Sequence, residues 1–421
     1  MARIRKILTI VTIALINFAC DSNSSTNETG GQTSTTGGFF STGGTTSLSS
    51  GGTAIVPTTG GAIDMVASGG MLVVSGTGGA TGGVAAAAGG SANTGGVGTG
   101  GDSGTGGVSG TGGVSGTGGD SGATCPLPAT FQWTSTGPLA EPKNPNAKSL
   151  KDFSVTKYNG KYLVYGTTAD GNWNGFMSTF TTFDEWASVD QTYIPGLVAP
   201  TIFYFTPKNI WVLAYQWGFK YATSTTPDDP NSWSQTQALI SGDPTGGRGT
   251  GPIDQTIICD DSDCYIFFAD DAGGIYRGSM PIDQFPGMFS GITRILDDAS
   301  VIFEGVQVYS IKGSDKYLMI IENNGTRAFR AWTADSLGGD WTPLAGASTT
   351  QQPFAGEANV TWPDGKWTND ISHGDVVRED PSEKMMIDPC NLQFLYQGRD
   401  PNVNVGYADL PYRPGLLTLQ P

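Results

Sequence analysis

Four side chains stand out for their chemistry: Asp152, Asp254, Glu304 and His373, the last being the only histidine. They occupy matching places in a series that reads Lys151-Asp152-Phe153, Ala199-Pro200-Thr201, Ile253-Asp254-Gln255, Phe303-Glu304-Gly305 and Ser372-His373-Gly374. Carboxylic acids in different surroundings can divide acid and base work, one ionised to take a proton and one still protonated to give it. Taken singly, each has a plainer explanation. An aspartate before a strand is commonly a turn residue, and a lone histidine is commonly a hydrogen-bonded core residue. Recurrence at one repeat position favours a site.

Strands must bring these residues together. Apolar runs recur at roughly 50-residue intervals, the period of propeller blades: Tyr162-Leu-Val-Tyr-Gly, Trp211-Val-Leu-Ala-Tyr, Tyr265-Ile-Phe-Phe-Ala, Tyr317-Leu-Met-Ile-Ile and Leu392-Gln-Phe-Leu-Tyr. Each is apolar on both faces, as a strand buried between sheets should be. A first strand and a turn precede each run, and Asn159-Gly160 is a strong hairpin signal. Five hairpins predict an all-β, five-bladed β-propeller. Its innermost strands line a central channel, so the residues opening them converge on one axis.

The remainder of the chain frames that domain. Arg3, Arg5 and Lys6 precede an apolar run from Ile7 to Ile16 and then Ala19-Cys20, the layout of a secretory signal peptide over 1–20. The run is too short to span a bilayer. A cysteine there, followed by a long polar segment, suggests a lipoprotein acylated at Cys20, with ordinary secretion as the alternative; Asn17 and Phe18 depart from the usual pattern. Residues 21–124 are Gly, Ser and Thr in imperfect repeats, and too poor in apolar residues to offset the entropy of ordering, which predicts a disordered, flexible linker. From Cys125 to Pro421 the composition turns to Trp, Tyr, Phe and Val, a single domain of roughly 300 residues that contains all ten tryptophans.

A formal charge of −16 argues against nucleic acid or an anionic membrane as partner, leaving a lipid anchor as the membrane contact and a neutral polymer as the easier ligand. No glycine-rich segment opens a helix after a strand as nucleotide binding requires. Five cysteines leave four if Cys20 is acylated, enough for two disulfides. Cys259 and Cys264 flank what reads as a hairpin tip, and Cys125 with Cys390 would tie the domain's first residues to its last blade.

At these residues the sequence resembles glycoside hydrolase family 62, the α-L-arabinofuranosidases that release arabinose side chains from arabinoxylan. The words that carry the likeness are Phe131-Gln-Trp-Thr-Ser-Thr-Gly-Pro-Leu, Leu150-Lys-Asp-Phe-Ser, Gly251-Pro-Ile-Asp-Gln-Thr, Ile302-Phe-Glu-Gly-Val-Gln-Val-Tyr, Ile371-Ser-His-Gly-Asp and Leu410-Pro-Tyr-Arg-Pro-Gly-Leu-Leu. The resemblance implies an inverting hydrolase with Asp152 as general base, Glu304 as general acid and Asp254 as the carboxylate that orients the acid and raises its pKa. Inversion requires room for a water between acid and base, roughly 6.5 to 9.5 Å.

The likeness further implies that Lys151 contacts arabinose, that Tyr407 contacts the xylan chain, and that His373, together with Gln255, attends a structural calcium in the channel. No cofactor is implied for the chemistry, and a monomer is expected. Calcium prefers oxygen ligands, so such a site would be mostly water and carbonyl or amide oxygens. Where the family often has Asn after the tyrosine, this chain has Ala408. Trp173, Trp217 and Trp332 are candidates to stack on sugar rings, Trp217 foremost, against the alternative of core packing. The loop from Gly242 to Gly251, with Arg248, could shape the pocket. Two other readings stay open: a xylan-binding propeller whose catalytic groups have decayed, and an arabinan- or xyloside-cleaving enzyme of the family 43 type.

Overall fold

The structure is a computed structural model and describes residues 124–421. The expectations for 1–20, for Cys20 and for nearly all of the linker lie outside the described residues. The described strands form five sheets, the blades of a five-bladed propeller. Blade 1 runs from the strand Ser149–Tyr158 to Thr192–Ile194, blade 2 from Val198–Phe205 to Gln237–Ala238, and blade 3 from Ile253–Cys259 to Ser290–Asp297. Blade 4 runs from Gln307–Ile311 through Tyr317–Glu322 to Ala328–Ala334, and the short strand Met386–Ile387 pairs parallel with the other edge of Gln307–Ile311. In blade 5, Ser372–Val376 is innermost, and Gln393–Gly398 and Arg413–Leu419 follow.

Each apolar run found in the sequence is the second strand of its blade. Leu163, Val164 and Tyr165 in blade 1 and Ile266, Phe267 and Phe268 in blade 3 are completely buried, because both faces of a blade pack against neighbouring blades. At Asn159-Gly160 both residues have positive φ, 50° and 75°, the backbone of the tight hairpin turn that matches strand twist.

The ring is closed by a strand the repeat did not reveal. Trp133–Ser135 pairs antiparallel with Arg413–Leu419, so the start of the domain supplies an outer strand of blade 5. A disulfide joins Cys125 to Cys390 across 265 residues, and a second joins Cys259 to Cys264 at the tip of the blade 3 hairpin. Among the described residues no helix is long and apolar enough to cross a membrane.

Candidate active site

Innermost strands carry the site, and an irregularity aims it. Strand register shifts between Lys151 and Ser154, Val198 and Thr201, Ile253 and Thr256, and Ser372 and Asp375, so four blades carry a β-bulge at the same place. Such bulges re-aim a side chain at a sheet edge. Asp152, Ala199 and Asp254 sit in the bulges with φ of 50°, 42° and 54°, a left-handed backbone that costs a residue with a Cβ roughly 1–2 kcal/mol. Ala199, and not Pro200, is therefore the blade 2 counterpart of the two aspartates. Glu304 is carried differently, on the turn before the blade 4 strand, where its carbonyl accepts from Glu322 N at 2.9 Å.

The strain is held by a repeated hydrogen bond. Ala199 N donates to Thr167 Oγ1 (2.8 Å), Asp254 N to Gln216 Oε1 (2.8 Å), His373 N to Glu322 Oε2 (2.9 Å) and Asp152 N to Gln397 Oε1 (2.7 Å). Every acceptor is buried and belongs to the second strand of the preceding blade. The acceptors are the residues that immediately follow the apolar runs of the repeat, a regular polar position that the sequence reading passed over. Asp270 is its member in blade 3 and is turned to another task, accepting from Arg248 Nε at 2.9 Å.

A pocket of about 420 Å³ opens at these residues. Lys151, Asp152, Asp254, Glu304, His373, Trp217 and Tyr407 all line it, together with Trp173 and Arg327. His373 Nδ1 stands 3.5 Å from both Asp152 Oδ1 and Asp254 Oδ2, and Asp254 Oδ2 also accepts from Gly305 N at 3.0 Å, next to Glu304. Burial pushes the Glu304 carboxyl well above the usual range; the charges of Asp254 and Glu322 add to this, while Arg327 and Lys151 oppose it. Asp254 is likewise raised by burial, with the nearby His373 acting against the shift.

Lys151 is enclosed on the side of Asp152. Its Nζ donates to Tyr407 Oη at 2.8 Å, lies 3.7 Å from Asp152 Oδ1, and faces the rings of Trp173 and Tyr407 at 4.8 and 4.6 Å. Burial works against its charge, but Asp152 and Tyr407 outweigh this and hold the ammonium above its ordinary pKa. Trp217 and Tyr407 are half-exposed at the mouth of the pocket.

Not every expected residue reaches the pocket. Trp332 is buried in the core on a blade 4 strand, so the packing reading holds for it and the stacking reading does not. Gln255 lies under the pocket; its Nε2 donates to Ala199 O at 2.9 Å, while its Oε1 is buried without a hydrogen-bond partner. Among the described residues no group of three or more His, Cys, Asp or Glu could hold a metal ion. The Gly242–Gly251 loop is pinned by Arg248, which pairs with Asp270 and Asp297, and brings Thr250 to the pocket wall. Arg327 was missed. It precedes a blade 4 strand and approaches Glu304 Oε1 at 3.4 Å, with no motif to mark it.

A five-bladed propeller with carboxylates and one raised-pKa glutamate around an axial pocket is the frame of a glycoside hydrolase. Residues 132–418 match the model of glycosyl hydrolase family 62, and the chain belongs to that family. It is 42% identical over 312 residues to α-L-arabinofuranosidase C of Cellvibrio japonicus, covering 70% of this chain and 48% of the relative, about half that protein's length. The catalytic domain of the family 62 α-L-arabinofuranosidase of Coprinopsis cinerea is 36% identical with a TM-score of 0.67, over 70% of this chain and 98% of that one. The Podospora anserina α-L-arabinofuranosidase, solved with cellotriose, is 34% identical with a TM-score of 0.65, at the same two coverages.

Proposed function

We propose that the domain is an inverting α-L-arabinofuranosidase that removes arabinofuranosyl side chains from arabinoxylan. The observation that carries this reading is the meeting of Asp152, Asp254 and a Glu304 of raised pKa in one pocket. Glu304, holding its proton, gives it to the glycosidic oxygen as the bond to the anomeric carbon breaks. A water attacks that carbon from the opposite face and passes its proton to Asp152. Asp254 adds negative charge near the acid and fixes the Glu304 backbone through Gly305 N. Lys151, with its charge held by Asp152 and Tyr407, is placed to donate to arabinose hydroxyls. Trp217 and Tyr407, apolar faces at the mouth, suit a xylan backbone lying across it. The likeness to arabinofuranosidases supports arabinose as the sugar released, and intact carboxylates disfavour a decayed binding protein.

Calcium fits one feature of the channel: Gln255 Oε1 is a buried, unpartnered amide oxygen of the type calcium takes. Gln255, with water and His373, would hold it as a structural ion that supplies no step of the reaction. The chain's opening segment supports export, with acylation at Cys20 tethering the enzyme to the cell surface or envelope through the Gly/Ser/Thr-rich linker, and free secretion as the alternative. The catalytic reading is tested by arabinose release from wheat arabinoxylan. Wild type should release it, and Asp152→Ala and Glu304→Gln should not; a Glu304→Gln variant with near-normal activity on the polymer refutes the assignment of the acid.

A further inference from the structure

We infer that Glu322 is a positioning residue for the reaction: it holds Arg327 beside the acid Glu304 and balances its charge. The inference rests on the reading of Glu304 given above. It starts from the repeated hydrogen bond that supports each bulge. Three of the bulge N–H groups are received by a neutral side chain, Thr167, Gln216 or Gln397, and the fourth, that of His373 in blade 5, is received by Glu322 of blade 4. Capturing the N–H therefore does not call for a carboxylate. Glu322 is nevertheless completely buried, and burying a charge is costly unless it is paired and hydrogen-bonded.

The partner is Arg327. Its Nη1 forms an ion pair with Glu322 Oε1 and lies 3.4 Å from Glu304 Oε1, while the guanidinium rests over the Phe303 ring at 4.7 Å. Ser372 Oγ lies 2.9 Å from both Glu322 oxygens and completes the support. An uncompensated arginine so close to the acid would favour its ionised form, against the burial and the Asp254 charge that keep it protonated. Paired with Glu322, Arg327 can stand next to a protonated Glu304 and still receive the negative charge that develops as the proton leaves. The other charged groups facing Glu304 are Asp254, which supports its protonated form, and Lys151, which opposes it. Arg327 further feels Tyr412 and Asp370, and Asp370 is itself paired with Arg399.

The test is the pH dependence of kcat/KM for arabinose release by the full chain carrying Glu322→Gln. The variant should fold, since Gln216 and Gln397 already do the structural work in neighbouring blades. Its alkaline limb should fall by about one pH unit, as an acid beside an unbalanced cation ionises earlier. Removing the cation as well, in Glu322→Gln with Arg327→Met, should bring the limb back to the wild-type position or above. A merely structural Glu322 would lower activity equally at every pH, and a limb that does not move overturns the inference. Should the single variant fail to fold, Arg327→Met alone must raise the limb, and an unmoved limb there has the same force. Absence of arabinose release by wild type would instead strike the functional reading itself.

Discussion

Gln397→Leu separates the placement of the base from the stability of the fold. Gln397 Oε1 accepts the backbone N–H of Asp152 at 2.7 Å in a buried setting, and Asp152 has φ 50°. Leucine keeps the volume and deletes the acceptor. A buried N–H left without a partner costs about 1–3 kcal/mol. Relaxation of Asp152 out of the left-handed region returns about 1 kcal/mol of strain, leaving a net loss of at most about 2 kcal/mol. That relaxation carries the Asp152 carboxylate away from the channel, and a displacement of the order of 1 Å in a reacting group costs about 100-fold in rate. The variant should therefore lose about 100-fold in kcat on arabinoxylan while urea unfolding shows only a modest shift in midpoint. A variant destabilised as stated but within about threefold of wild-type kcat would refute the reasoning, because the bulge would then be a packing feature and no aiming device.

Other expectations follow from the same contacts. In Asp254→Asn the alkaline limb of kcat/KM should fall by about one unit, since a negative charge that keeps Glu304 protonated is lost. Glu304→Gln should be more stable than wild type at neutral pH. The folded pKa of Glu304 lies above its unfolded value near 4.3, so the folded chain keeps a proton that the unfolded chain has released and stability declines as pH rises between the two. The gain should vanish below about pH 4, where both states are protonated, and thermal melts across pH will check it. Replacing Cys125 and Cys390 by serine opens a loop with a sequence separation of 265 and should cost about 5.6 kcal/mol by loop entropy, against about 2 kcal/mol for the short Cys259–Cys264 loop, as measured by urea unfolding.

Much of the architecture was legible because a propeller repeats its physics. Five runs apolar on both faces gave five second strands, and an ionisable residue at the opening of four of the five blades marked the channel. The bulges left no trace, since aspartate and alanine at positive φ carry no glycine to signal them. The closing strand Trp133–Ser135 was hidden because its partner lies at the opposite end of the chain. Arg327 and Glu322 were invisible for a related reason: their meaning lies in a contact with Glu304 that only the blade 4 turn creates. Trp332 stayed open between sugar platform and core packing because a tryptophan on a strand reads the same in sequence whether it faces the core or solvent, and its burial settles it as packing.

The most direct test of the central claim is the anomer of arabinose first released from arabinoxylan by the wild-type chain, followed by proton NMR before mutarotation. Water activated by Asp152 on the face opposite the departing chain gives the β-anomer first. Initial α-anomer would mean that configuration is retained, and would contradict the assignment of Asp152 as a base acting through water.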